Sequence, residues 1–227
     1  MGLIRRLKWW RAPSMAPLRS RGDVLGRLHD RFARPELPDL GDLEVATDLT
    51  DAFWLGDTLW PWDTRPLRVG TIVPEGHPAY ARVLPIEDDA TPGEPSREMT
   101  VRLASILGPH TRAAGSMWFL VWEGWGNLDR RLFDGIPRAH TTARTWIGFR
   151  GPLDAVGSFV FQGHFNAPSY WWPEDRAWCV ATEVDAMSTY VGGTEDAIAA
   201  VLAEERFESY PATLTDPFGG GGDPRGQ

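Results

Sequence analysis

The sequence predicts an α+β domain, a mostly antiparallel sheet with a few flanking helices, and three observations carry that prediction. Met117–Trp122 is an unbroken apolar run of strand length. Ala177–Asp185 divides its side chains between two alternating sets. The helical periods at Met99–Leu107 and Thr194–Glu205 stand apart from one another, without the regular strand–helix alternation of a parallel sheet. A chain of 227 residues, 42% hydrophobic and 24% charged, has the length and apolar content of one substantial domain.

Val24, Leu25, Leu28 and Phe32 follow helical spacing, and Pro35 stops that helix, so residues 1–34 read as a basic N-terminal extension with a short helix. Residues 35–66 are acidic and broken by Pro35, Pro38, Pro61 and Pro66, which predicts loops and short turns wrapped on the domain. Leu67–Val73 and Ala79–Ile86 read as strands joined through Pro74-Glu75-Gly76-His77-Pro78, and residues 87–97 as a surface loop. In Met99–Leu107 the residues Leu103, Ile106 and Leu107 point inward and Gly108 ends the helix. Arg144–Phe149 reads as a further strand. In Ala177–Asp185, Trp178, Val180, Thr182 and Val184 share one face, with Cys179, Ala181, Glu183 and Asp185 on the other. Gly192-Gly193 reads as a turn before the last helix, where Thr194 caps and Glu195 and Asp196 complement the dipole. Residues 35–214 thus form a single α+β domain, and residues 215–227, with four consecutive glycines, a disordered tail.

The net charge of −8 conceals a division. Residues 1–34 carry nine basic side chains against Asp23 and Asp30, and the remainder carries 14 basic against 29 acidic. An acidic body repels phosphate backbones, so no nucleic acid is expected on the main domain, and a basic protein partner is. Residues 3–11, which mix Leu, Ile and Arg with Trp9-Trp10, have the look of a membrane-surface amphipath, the alternative to a plain extension. No apolar run is long enough to span a bilayer, and Lys8, Arg11 and Pro13 interrupt what a secretory signal keeps apolar. One cysteine, Cys179, fits a reducing cytoplasm, the expected location.

Catalytic motifs are few. No P-loop or G-x-S-x-G elbow occurs, and Cys179 in a strand reads as an inert core thiol. His29, His77, His110, His140 and His164 stand at least 24 residues apart, with no metal-ligand spacing, so neither a metal nor a cofactor is expected. Carboxylates offer the one enzymatic lead. Glu183 and Asp185 lie two apart on one strand face, roughly 6.5–7 Å between Cα atoms. Glu174 and Asp175 follow Trp171-Trp172-Pro173, and Glu123 lies between Trp122 and Trp125. Carboxylates beside aromatic platforms suit glycoside chemistry; on an acidic chain they equally suit a solvated surface. Of the twelve tryptophans, Trp118, Trp122, Trp146 and Trp178 fall in strand contexts and read as core. Trp125, Trp171 and Trp172 fall where a ring reaches the surface, and Trp54, Trp60 and Trp62 stay open.

Pro74–Pro85 (PEGHPAYARVLP), Trp118–Gly126 (WFLVWEGWG), Gly151-Pro152-Leu153 and Ser169–Gly193 (SYWWPEDRAWCVATEVDAMSTYVGG) together resemble a group of uncharacterised actinobacterial cytoplasmic proteins. The resemblance spans roughly residues 65–210, and the tryptophan-rich last string is its most specific part. It implies a cytoplasmic protein and assigns no activity. Pro85 replaces the group's histidine after Leu84, so any role of that histidine is absent.

The expected function is a non-catalytic protein-binding domain, immunity-like or stress-associated, presenting an acidic surface built on Trp125, Trp171, Trp172, Glu123, Glu174 and Asp175. Two alternatives stand beside it. One is a hydrolase of glycoside-like substrates using Glu183 and Asp185, with Trp171 or Trp172 as platform. The other is a small-molecule binding domain whose loops around Trp125 and Trp172 enclose an apolar ligand.

Overall fold

The computed structural model describes residues 38–62, 66–85, 91–141 and 144–218. The basic extension with its predicted helix, and the glycine-rich end from residue 219, lie outside the described residues. In chain order the strands are β1 (Glu44–Val45), β2 (Ala79–Leu84), β3 (Met117–Trp122), β4 (Arg138–His140), β5 (Thr145–Gly151), β6 (Val160–Phe161), β7 (His164–Phe165), β8 (Tyr170–Pro173), β9 (Trp178–Thr182), β10 (Thr189–Gly193) and β11 (Glu208–Ala212). The described α-helices are α1 (Phe53–Thr58), α2 (Arg97–Leu107) and α3 (Glu195–Leu202).

One antiparallel sheet runs β1-β5-β3-β8-β9-β10-β2-β11, with β4 also paired to β5; β6 and β7 form a separate hairpin. This is the α+β architecture the sequence predicts. Its edges are blunt. At one side β1 and β4 are two and three residues long, and at the other β11 carries Pro211, which lacks an amide donor.

Both faces of the sheet are covered, and this shapes everything else. On one face Met117, Phe119 and Val121 of β3, Phe149 of β5, Trp171 of β8 and Trp178 and Val180 of β9 pack with Leu103 and Leu107 of α2 and Ile198 and Val201 of α3. On the other, Trp118, Leu120, Trp146, Tyr170, Trp172, Cys179, Ala181 and Tyr190 pack with Leu49, Leu55, Val69, Ile72 and Val73 from the segment before β2. A strand buried on both sides reads as a continuous apolar run, which is why β3 reads MWFLVW and β9 begins WCVA. The second layer sits close. A Cβ added at Gly148 would lie 2.6 Å from Leu49 Cδ2, and one at Gly192 would lie 2.7 Å from His77 Cδ2.

Helix ends follow the sequence. Ser96 Oγ accepts from Met99 N (3.1 Å) to start α2, and Thr194 Oγ1 accepts from Ala197 N (3.2 Å) to start α3. Gly108 stands at the C-terminal end of α2 as expected, its N–H donating to Ala104 O, and the chain passes directly into a 3₁₀ turn over Gly108–His110.

Five expectations are corrected. Leu67–Val73 is a 3₁₀ turn (Val69–Thr71), not a strand, because its apolar side chains serve as a cap over the second face. The acidic segment holds β1, a 3₁₀ turn and α1 in addition to loops. The strand at Ala177–Asp185 stops at Thr182, beyond which the chain turns toward β10. Gly192-Gly193 is strand, paired to Cys179 and Trp178; it is glycine because His77 and Tyr80 lie over one residue and Trp178 over the other. Asp216–Phe218, expected in the disordered tail, are placed by the Val69 N–H donating to Asp216 O and the Phe218 N–H to Leu67 O.

Cys179 is wholly buried, and burial pushes its thiol well above the ordinary range. Iodoacetamide is therefore expected to leave native Cys179 unlabelled and to react after denaturation; rapid labelling of the native protein would contradict this placement.

Candidate functional site

Trp171 and Trp172, expected at the surface, are only 2% and 1% exposed. They occupy β8, not a loop, and Pro173 closes that strand opposite Met117. Adjacent residues of a strand do point to opposite faces, but here both faces are covered, so neither ring reaches solvent. Trp171 meets Trp178 edge-on at 5.3 Å on one side. Trp172 stacks on Trp118 at 6.1 Å and 13° on the other, and receives the edge of Trp54 at 5.6 Å. Arg150 covers Trp118 at 4.6 Å and Arg176 covers Trp54 at 5.0 Å. The outcome is a ladder, Arg150–Trp118–Trp172–Trp54–Arg176, that ties α1 to the sheet.

The remaining site residues fall at opposite ends of β3. Glu174 and Asp175 sit beside its start, where Glu174 N donates to Ser116 O. Glu123 and Trp125 follow its end, roughly 20 Å away along a six-residue strand. The expected acidic tryptophan surface is therefore not assembled as one patch. Each acid also has local work. Ser116 Oγ donates to Glu174 (2.8 Å) and Arg150 stands 3.3 Å away, which together hold that carboxyl below its ordinary range. Burial works against ionisation of Asp175, but donors from Arg112 N, Thr111 and Ala177 N outweigh it and lower its pKa. Arg138 Nε binds the Glu123 carboxylate at 2.9 Å. Trp125 is half-buried, edge-on to Trp122 at 5.2 Å. Trp122, expected in the core, is also half-buried at the end of β3.

Glu183 and Asp185 do meet, through a shared cation. Arg144 Nε and Nη2 bind Glu183 Oε1 at 2.9 and 2.8 Å, and Nη2 also reaches Asp185 Oδ2 at 2.5 Å. Glu183 Oε2 accepts from Asp185 N at 2.6 Å. The Glu183 side chain is 4% exposed and that of Asp185 82%. One carboxylate is thus sealed with both oxygens engaged and the other stands in water, a clamp holding the β9–β10 turn against the start of β5. Acid–base hydrolysis needs both groups to reach one substrate, and this geometry lends that reading no support.

A different surface gathers acids around an exposed ring. From Asp39 to Asp57 the described chain carries Asp39, Asp42, Glu44, Asp48, Asp51 and Asp57, all exposed, with no Lys or Arg in the segment. Leu49, Ala52 and Leu55, three apart, are buried, which leaves Phe53 on the outer side of α1 at 58% exposure. Asp57 is one helical turn beyond Phe53 on the same surface. Asp48 accepts from Thr50 N (3.0 Å) and Thr50 Oγ1 (2.7 Å), bonds that lower its pKa. Among the described residues, none of Asp42, Glu44, Asp51 and Asp57 forms a carboxylate–arginine pair within 4 Å. Arg150 stands opposite Glu44 across β1 and β5, and the Arg176 guanidinium donates to the Asp51 carbonyl at 3.4 Å. Sequence reasoning missed Phe53 because residues 35–66 read as loops and short turns, in which no helix face is assigned; the three-residue spacing of Leu49, Ala52 and Leu55 was the available signal.

Among the described residues no cluster of three or more His, Cys, Asp or Glu side chains is arranged to hold a metal ion, and no helix is long and apolar enough to cross a membrane. No protein-family model, curated protein or solved structure matches the chain.

Proposed function

We propose that this domain is a non-catalytic protein-binding module whose contact face is the acidic layer around Phe53 and whose partner presents basic side chains. The supporting observation is the exposed aromatic of α1 set in a segment with six exposed acids and no basic residue. An apolar anchor supplies affinity where it is desolvated, and surrounding charge of one sign accelerates and selects the encounter. An immunity-like or stress-associated protein that masks a basic partner is the concrete form. A cytoplasmic setting fits both the single buried thiol and the resemblance to the actinobacterial group.

Affinity capture from native extract tests this with the full chain and the variant Phe53→Ser/Asp51→Asn/Asp57→Asn. The expected partner is basic, is released by raised salt, and binds the variant at least about tenfold more weakly. Phe53→Ser alone is expected to change stability by no more than about 0.5 kcal/mol, since the ring is largely outside the fold. Equal capture by the triple variant, or a partner whose contact surface is acidic, would overturn the proposal.

A further inference from the structure

At the β3 end of the sheet a depression of about 430 Å³ is lined by Trp122, Glu123, Gly124, Arg130, His140, Thr141, Arg144 and Thr145. Its hydrogen-bonding capacity is lopsided. Arg130 Nε donates to Glu123 O at 3.1 Å, which fixes the side chain, and its Nη1 and Nη2 have no partner among the described residues. Arg144 lies over the Trp122 ring at 5.0 Å and spends Nε and Nη2 on Glu183 and Asp185, leaving Nη1 unpaired among those residues. Thr141 Oγ1 accepts from Trp146 Nε1 at 3.3 Å, so its own proton is free to be donated. Thr145 Oγ1 stands 3.4 Å from His140 Nδ1, which leaves the far ring nitrogen for a ligand. The Glu123 carboxylate is turned to Arg138. The formal charges of Arg130, Arg138 and Arg144 cancel those of Glu123, Glu183 and Asp185, but the unspent groups are almost all donors.

From this we infer that the depression binds the phosphoryl group of a small phosphomonoester, held between Arg130 and Arg144 with the Thr141 hydroxyl. The unspent Nη1 and Nη2 of Arg130 and Nη1 of Arg144, with the Thr141 hydroxyl, offer more donors than a two-oxygen carboxylate accepts, whereas three phosphoryl oxygens match them. The volume leaves room for an organic group beside Trp122. Gly124 keeps that wall in place, because a Cβ there would lie 2.2 Å from the indole. The assignment uses none of the residues of the Phe53 face and stands or falls without it.

Calorimetric titration of the full chain with phenyl phosphate tests the assignment, with benzoate as the carboxylate arm. Phenyl phosphate is expected to bind with a Kd below about 1 mM, and benzoate at least about tenfold more weakly. Arg130→Gln, at an exposed position that leaves the fold intact, is expected to weaken phenyl phosphate at least about tenfold. Arg206→Gln, on another surface, is expected to leave binding unchanged. No heat at about 20 mM ligand, equal binding of benzoate, or equal effects of Arg130→Gln and Arg206→Gln would each overturn it.

Discussion

Trp172→Ala is expected to lower the free energy of unfolding by about 3–5 kcal/mol, the cost of emptying a large aromatic site that cannot fully collapse. The ring is buried at the centre of the ladder, stacked on Trp118 and met by Trp54, with Arg150 and Arg176 closing the ends. Removing it deprives both neighbouring indoles of a partner and cuts the link between α1 and β8. For a chain of this size the loss corresponds to a fall in Tm of about 10 °C. Trp172→Phe retains the apolar volume in part and is expected to recover roughly half the loss. Urea unfolding of the two variants measures this. A loss under about 1 kcal/mol for Trp172→Ala would show that the ladder does not fasten α1 to the sheet.

His77 is expected to make the fold sensitive to mild acid. Burial lowers its pKa from 6.5 to about 4, and its Nε2 has no hydrogen-bond partner. Above pH 6.5 the ring is neutral in both folded and unfolded chains, and the fold keeps its full stability. As pH falls from 6.5 toward 4, the unfolded chain takes up the proton first, and stability declines by about 3 kcal/mol across that window. Glu174 and Asp175, whose pKa values are lowered, add their own losses as pH falls through the ordinary carboxylate values of 4.5 and 3.8, at the bottom of that window and below it. Urea midpoints at pH 7 and pH 4.5 measure the effect. His77→Phe is expected to flatten the dependence in that window; an unchanged slope in the variant would assign the acid sensitivity elsewhere.

Burial, more than propensity, decided which elements could be read from the chain. β3, β9, α2 and α3 were legible because their apolar content or spacing is unambiguous at the right length. β8 was not. Pro173 reads as a loop signal, and nothing local reveals that it only ends the strand. Gly192-Gly193 misleads in the same way, since the space over Gly192 is taken by His77 and Tyr80, more than a hundred residues earlier, and that over Gly193 by Trp178 on the paired strand. The burial of the candidate tryptophans was not legible either. Acidity around an exposed ring was expected at Trp171 and Trp172, but a second layer over the sheet covers both, whereas Phe53 on α1 is exposed.

That second layer bears on how the strands find their partners. In a sheet with one wet face, sliding a strand by one residue drives apolar groups into water and the error corrects itself. Here both destinations are apolar, so hydrophobicity alone barely distinguishes the native alignment from a slipped one. Size must make the distinction. Leu49 fits only where β5 offers Gly148, and a one-residue slip presents Ile147 or Phe149 in its place. The glycine notches are keys of alignment, and filling one is expected to trap misaligned chains during refolding before it weakens the finished sheet.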